Sequence, residues 1–451
     1  MDATARANRA RWRLSGNFFF APPVHPLSPQ VWPLWQRIGF RFVAIFLPLL
    51  IVPDLLSDWI SPLGTAMDAA VQAANAHLFH VRPMLVQPNG SGDTSWAWTR
   101  LWLYLLLAIV GTIAWSVTDA RRAAYPRAAY WLRTLLRYQL ASAAMTYGII
   151  KLFALQMLFP LPSQLATPLG DLLPMRFSWL FIGYSTPYQV FCGVMELLAG
   201  LLLLPRRTVT LGLILGAAAF TNVLLINLAY DVPVKLYSGQ LLITCVVLLL
   251  MDAPRLVRGL VLNQSVPPCT LYEPPSNSTR TRAARLCAKL VIIVMILVLP
   301  FRDSLKRAQD SAQRAVAIPL PAGVYEVRRF VLKGDTIPAL AADTVRWRDL
   351  IIDNARGGSV GSTDTLFWQR YRRGYFRFHA DPATHTLAVW RTSMLQDSTP
   401  VLTARYAVHD STSASLWTRL RGDSLYVELV RSPRHFQLAE RQFHWVSEYN
   451  R

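Results

Sequence analysis

The chain has 451 residues, 53% of them hydrophobic and only 16% charged. A soluble globular chain carries about 25% charge, which argues against an ordinary cytosolic enzyme. The net charge of +20 would suggest nucleic acid in a soluble protein, but the bases gather beside apolar runs, as on the cytoplasmic side of a membrane protein, so the expected partner is the lipid bilayer and not nucleic acid.

Residues 1–37 read as a basic cytoplasmic segment with Arg6, Arg9, Arg11 and Arg13; they lack the apolar core and small-residue cleavage site of a signal peptide. Seven apolar runs follow, near residues 38–57, 98–117, 131–157, 187–204, 208–229, 236–252 and 285–301. A helix crossing the hydrocarbon core needs about 17–25 residues, so the sequence predicts about seven spans. The first two, within residues 38–130, are joined by an outer loop. The next four, within 131–253, form a four-helix core. A basic cytoplasmic loop over 254–284 precedes the last span, 285–301.

The loops alternate in charge. Arg121, Arg122 and Arg127, then Arg206 and Arg207, then Arg255, Arg258, Arg280 and Arg282 mark the cytoplasmic side. Residues 58–97 hold Asp58, Asp68 and Asp93 against Arg82 alone, and the loops near 160–180 and 230–236 are balanced. Odd parity predicts an N-terminus inside and residues 302–451 outside, in the periplasm of a bacterium whose inner membrane holds the protein.

Residues 302–318 read as an amphipathic connector. Beyond them Tyr325–Leu332, Tyr375–His379, Leu387–Trp390, Leu416–Leu420 and Ser424–Val430 are rich in β-branched and aromatic residues, with a hairpin turn at Gly422-Asp423. The expected domain is β-rich, an antiparallel meander or small barrel. No cysteine lies beyond Cys287, and Cys192, Cys245, Cys269 and Cys287 have neither zinc-knuckle nor C-x-x-C spacing. All eight histidines lie outside the apolar runs, so no histidine pair can ligate a haem inside the bilayer, and His77 with His80 lacks an acidic companion for a metal. No nucleotide-binding or hydrolase motif occurs.

An ionisable group at the middle of a span costs roughly 2.5–3.5 kcal/mol on insertion scales, so each one calls for a reason. Lys151 in the third run and Glu196 in the fourth stand out. Their spans run antiparallel, and Gly193 and Gly200 leave room beside Glu196 for a neighbouring helix. The sequence predicts a Lys151–Glu196 pair lining an outward-opening polar pocket with Tyr147, Asn222 and Asn227. Tyr184, Asp231 and Lys235 are expected at its outer rim. A purely packing role for the pair, interhelical hydrogen bonding by the asparagines and interfacial solvation of Asp231 and Lys235 are the plainer alternatives.

The third to sixth runs resemble the DoxX/DoxD family of bacterial membrane proteins. The likeness rests on YGIIKLF, CGVMELLAGLLLLPRRT and NLAYDVPVKLYS, in that order. The family's G-x-x-K and G-x-x-E motifs fall on Gly148/Lys151 and Gly193/Glu196, with the basic turn at Arg206 and Arg207, and the match covers residues 131–253. A more distant likeness is to the membrane part of vitamin K-dependent carboxylases. The resemblance implies a redox-associated membrane component that handles a quinone, with Lys151 and Glu196 as the catalytic pair. No intrinsic cofactor or metal is expected, and a periplasmic or membrane redox protein is the implied partner. The alternative from another class is a non-enzymatic assembly or scaffolding protein that holds a periplasmic partner through the β domain. Two spans before the core, one after it and the β domain are additions to the family pattern.

Overall fold

A computed structural model describes residues 31–57, 60–89, 92–266, 278–313, 320–339, 345–354, 357–391, 399–441 and 444–446. The basic segment up to residue 30 and the loop residues 267–277, with Cys269, lie outside the described residues.

The first part is helical: α1 (Leu34–Ser57), α2 (Ser61–Ala74), α3 (Ser95–Thr118), α4 (Pro126–Leu152), the one-turn α5 (Pro162–Leu165), α6 (Pro174–Tyr184), α7 (Thr186–Leu203), α8 (Val209–Ala229), α9 (Lys235–Leu250), α10 (Ala253–Leu256), α11 (Thr279–Ile293) and α12 (Leu299–Gln313). A π-helical turn, Val294–Val298, joins the last two into one long rod. Among the described residues, five helices are long and apolar enough to cross a membrane: α1, α3, α7, α8 and Thr279–Asp310. A sixth counts if α9 and Ala253–Val261, bent by 75° from each other, are one span.

The third expected span, 131–157, falls on α4, which is not among these helices. Arg127, Arg133, Arg137 and Lys151 make it the most polar of the long bundle helices. Its packing face is nonetheless apolar, with Leu136, Leu140, Ala144 and Ile149 fully buried. Pro126 starts the helix, where its missing N–H is no loss. The helix stops at Leu152, five residues before the expected 157, because Ala154 takes a left-handed conformation and the Leu155 N–H turns back to the Ile150 carbonyl.

The described residues between 323 and 431 form an antiparallel barrel. Its strands are β1 (Gly323–Leu332), β2 (Asp335–Thr336), β3 (Asp349–Asn354), β4 (Gly357–Val360), β5 (Trp368–Arg370), β6 (Arg373–Asp381), β7 (Thr386–Arg391), β8 (Leu402–Val408), β9 (Ser413–Leu420) and β10 (Asp423–Arg431). Eight of them run round in the order β1, β3, β4, β6, β7, β8, β9, β10, and β10 pairs back onto β1 from Tyr325↔Arg431 to Leu332↔Leu425. The short β2 and β5 hang on β1 and β6. Closure leaves the eight-stranded ring without an open edge. Inward residues such as Tyr325, Phe330, Phe367, Val427 and Leu429 fill the lumen, leaving a void of only about 20 Å³. The interior is therefore a packed core and not a ligand cavity.

The β9–β10 hairpin turns at Arg421-Gly422, one residue before the expected place, with φ of +54° and +94°. Both central residues of such a two-residue turn need positive φ, and Gly422 supplies it without a Cβ penalty. Gly422→Val should lower barrel stability by about 1–2 kcal/mol, read from the strand signal during thermal unfolding of the full chain. An unchanged transition would show that the turn does not set the hairpin.

Candidate functional site

The closest helix pair of the core is α4 against α7, and glycines make it so. A Cβ on Gly148 would lie 2.6 Å from the Leu197 backbone nitrogen, and one on Gly193 would lie 2.7 Å from the Gly148 carbonyl oxygen. One on Gly200 would meet the Met145 side chain at 2.8 Å. The three positions form a seam of backbone contact along which Lys151, in the last turn of α4, meets Glu196, in the middle of α7.

Lys151 Nζ donates to Glu196 Oε1, and the residues are 7% and 4% exposed. The other carboxylate oxygen, Glu196 Oε2, is buried without a hydrogen-bond partner. An unpartnered buried polar atom is uncommon enough to call for an explanation such as a proton, a water or a bound hydroxyl. Tyr147 lies one turn before Lys151, within electrostatic range of Glu196, and its ring is 6.2 Å from that of Tyr237 on α9.

Around this pair the other expected pocket residues separate. Asn222 is exposed on α8. Asn227 is buried, but its amide closes the α8–α9 turn by donating to Ser238 Oγ at 3.0 Å. Asp231, left-handed at φ +49°, accepts from Lys235 Nζ at 2.7 Å on the surface of that turn. Tyr184 donates to the Arg441 carbonyl at 3.2 Å and stands beside Phe159. The structure thus brings Lys151, Glu196 and Tyr147 together, places Asn227, Asp231 and Lys235 at the α8–α9 turn, and leaves Asn222 on the surface of α8 and Tyr184 at the end of α6.

Three features were not singled out in the sequence. Asp93 caps α9 from the far side of the chain, accepting the Lys235 and Leu236 N–H groups at 2.8 and 3.0 Å. Arg41 of α1, only 1% exposed, donates to the Tyr125 hydroxyl, Ser116 Oγ and the Asp119 carbonyl, and ties α1 to both ends of the α3–α4 turn. The cost of a charge inside an apolar run, which marks Lys151, also marks Arg41. Gln189, fully buried near the start of α7, makes a two-way amide bond with the Met157 backbone, both contacts at 2.8 Å. Together with the close approach of Gly183 to the Leu158 carbonyl, this welds the stretch after Lys151 onto the helix bearing Glu196.

That stretch also carries the barrel. Ser163 of α5 donates its N–H to Asp353 Oδ1 at 2.7 Å, and its hydroxyl meets that of Ser359 on β4 at 2.6 Å. Arg176 donates to the Tyr371 hydroxyl at 3.0 Å, and Arg372 pairs with Asp171 at 3.0 Å.

No family model matches the chain, and no solved structure matches it. A stretch of 75 residues, 17% of the chain, is 41% identical to the uncharacterized protein YwoB of Bacillus subtilis (strain 168). The match spans 49% of that protein, about half its length.

Proposed function

We propose that the chain is a DoxX-like integral membrane protein whose Lys151–Glu196 pair manages protons at a quinone-type ring for a redox partner. The observation that carries this reading is the buried acid–base pair with one carboxylate oxygen, Glu196 Oε2, left free to accept a hydrogen bond. A general acid or base must be within hydrogen-bond reach of the proton it moves, and Oε2 has the unused lone pairs for that. Lys151 would orient the carboxylate by donating to Oε1, leaving Oε2 for the ring, and Tyr147 would bound the site on the outer side.

The topology that goes with it has seven spans, counting α4 and the bent α9 unit with the five apolar helices, in a bacterial inner membrane. Contacts within the bundle support it. Arg37 reaches the Ala120 and Arg122 carbonyls, and Arg206 reaches the Tyr130 hydroxyl, which groups the basic turns at one end. The barrel meets the chain beyond the opposite end of α4. In this reading the basic end is cytoplasmic and the barrel periplasmic.

A second reading, a membrane scaffold that presents the barrel to a periplasmic protein, draws support from the buried seam between barrel and α5. The two part on one measurement. Organic extraction of the detergent-purified protein, followed by chromatography with redox detection, should recover a quinone, and Glu196→Gln should lower its yield. Quinone-free protein, or a yield unmoved by Glu196→Gln, would favour the scaffold.

A further inference from the structure

Arg137 lies inside the third apolar run, and the cost of a charge there applies to it as it does to Lys151. Lys151 has Glu196. No carboxylate pairs with Arg137 among the described residues, and its Nε is buried without a hydrogen-bond partner. The guanidinium lies over the Tyr138 ring, 4.9 Å from its centre. That contact supplies no lone pair, so the N–H fork keeps its capacity for an anion. The ends of α4 and α7 set the surroundings. Tyr130, Arg133 and Arg137 stand at i, i+3 and i+7 on one face of α4, and the same face continues through Ala141, Ala144 and Gly148 into the seam with α7. A Cβ on Gly200 would lie 3.2 Å from the Ala141 carbonyl oxygen, so the two helices are still side by side there. α7 stops at Leu203, whereas α4 extends back to Pro126. The turn that follows α7 carries Arg206 and Arg207, and Arg206 donates to the Tyr130 hydroxyl at 3.0 Å. The basic end of the seam thus gathers four arginines, while Asp252, at the same end, is held by Arg255 through both carboxylate oxygens. Trp131, 66% exposed, stands beside Tyr130 with the rings 5.3 Å apart.

We infer that the basic end of the α4–α7 seam is a binding site for the headgroup of an anionic phospholipid, with Arg137 as the residue that takes its phosphate. Side chains on a helix lean toward its N-terminus, which carries Arg137 toward the level of Arg133 and Tyr130. An arginine fork meets a phosphate with two parallel N–H bonds, and the neighbouring arginines add to the attraction. A free phosphate shares this chemistry, but two features favour the lipid. The Tyr130–Trp131 pair is of the kind that sits at headgroup level. Leu198 and Leu201 of α7 and Leu211 of α8 are exposed near the same end, which gives acyl chains an apolar surface to lie along. The lipid ties α4 to the α7–α8 turn at the opposite end of the seam from Lys151 and Glu196. Its binding requires that α4 and α7 lie in a bilayer, as in the topology proposed above, but neither a quinone nor a cytoplasmic location for the basic end.

The test melts the full chain, purified in a non-ionic detergent and stripped of lipid, in mixed micelles carrying increasing amounts of dioleoylphosphatidylglycerol or dioleoylphosphatidylcholine. A ligand that binds the folded state raises the melting temperature, and the midpoint of that rise gives an apparent affinity. Phosphatidylglycerol should act at a mole fraction about tenfold lower than phosphatidylcholine, the size of one charge-assisted contact. Arg137→Gln should remove most of that preference, whereas Arg121→Gln, which deletes an exposed base from the α3–α4 turn, should keep it. Equal action of the two lipids on the parent, or equal losses in the two variants, would mean diffuse attraction and overturn the site. Inorganic phosphate at millimolar concentration should leave the phosphatidylglycerol shift in place; if it abolishes the shift, the site belongs to a soluble phosphate and the lipid is overturned. If Arg137→Gln does not fold, Arg137→Lys keeps the charge without the fork and should weaken phosphatidylglycerol binding by about threefold. Parental affinity in that variant would equally overturn the assignment.

Discussion

Lys151→Met should destabilise the helical core by about 3–5 kcal/mol, since it strands the Glu196 carboxylate in a buried seam where no other cation among the described residues pairs with it. Glu196→Gln should cost a similar amount by stranding the ammonium. The double variant Lys151→Met/Glu196→Gln should recover much of the loss, because a buried ion pair replaced by neutral groups of similar volume is often neutral or stabilising. Thermal unfolding of the purified protein in detergent gives all four corners of the cycle. Additive losses would mean that the two groups do not share their charges. A double variant that regains stability but still fails to retain quinone would assign the pair a role beyond packing, and one that regains both would leave it structural.

Replacing Gly193 with valine is expected to be as damaging for a different reason. Its Cβ would sit within 2.8 Å of the Gly148 carbonyl, the Leu152 nitrogen and the Lys151 Cβ, and two of those three are backbone atoms that cannot swing aside. Overpacking a well-filled core costs typically about 1–3 kcal/mol where side chains can adjust. Here α4 and α7 must move apart, so the loss should reach about 3 kcal/mol or more and separate Lys151 from Glu196. Gly39→Ala is the matched control, since nothing lies within 4 Å of its added methyl and the helix gains about 0.5–1 kcal/mol of propensity. Equal melting temperatures for Gly193→Val and the parent would mean that the helices do not touch along this seam.

Some of this molecule can be read residue by residue along the chain. A lysine or glutamate inside an apolar run is costly wherever the helix goes, so Lys151 and Glu196 identify themselves locally, and the flanking glycines show where a second backbone can approach. Runs of β-branched and aromatic residues mark β1, β6 and β10 in the same local way, since they suit a pleated strand wherever it lies. The distribution of apolar runs likewise anticipates the long bundle helices; α4 falls on the run near 131–157 despite its arginines, although its end at Leu152 depends on a left-handed Ala154.

The tertiary structure decided everything that joins residues far apart. Barrel closure pairs Tyr325 with Arg431, and nothing local distinguishes that register from an open meander. Ser163 meets Ser359 across 196 positions, and a serine in a connection between helices carries no mark of being buried. The same holds for the expected pocket residues. Asn222, Asn227, Asp231 and Lys235 are close together in sequence, but helix rotation and the α8–α9 turn determine which face solvent and which turn inward. The free oxygen of Glu196, on which the proposed chemistry rests, follows from how Lys151, in the last turn of α4, meets the carboxylate. Local cost can be read from residue type and neighbours, whereas the partner that offsets it exists only once the chain has folded back on itself.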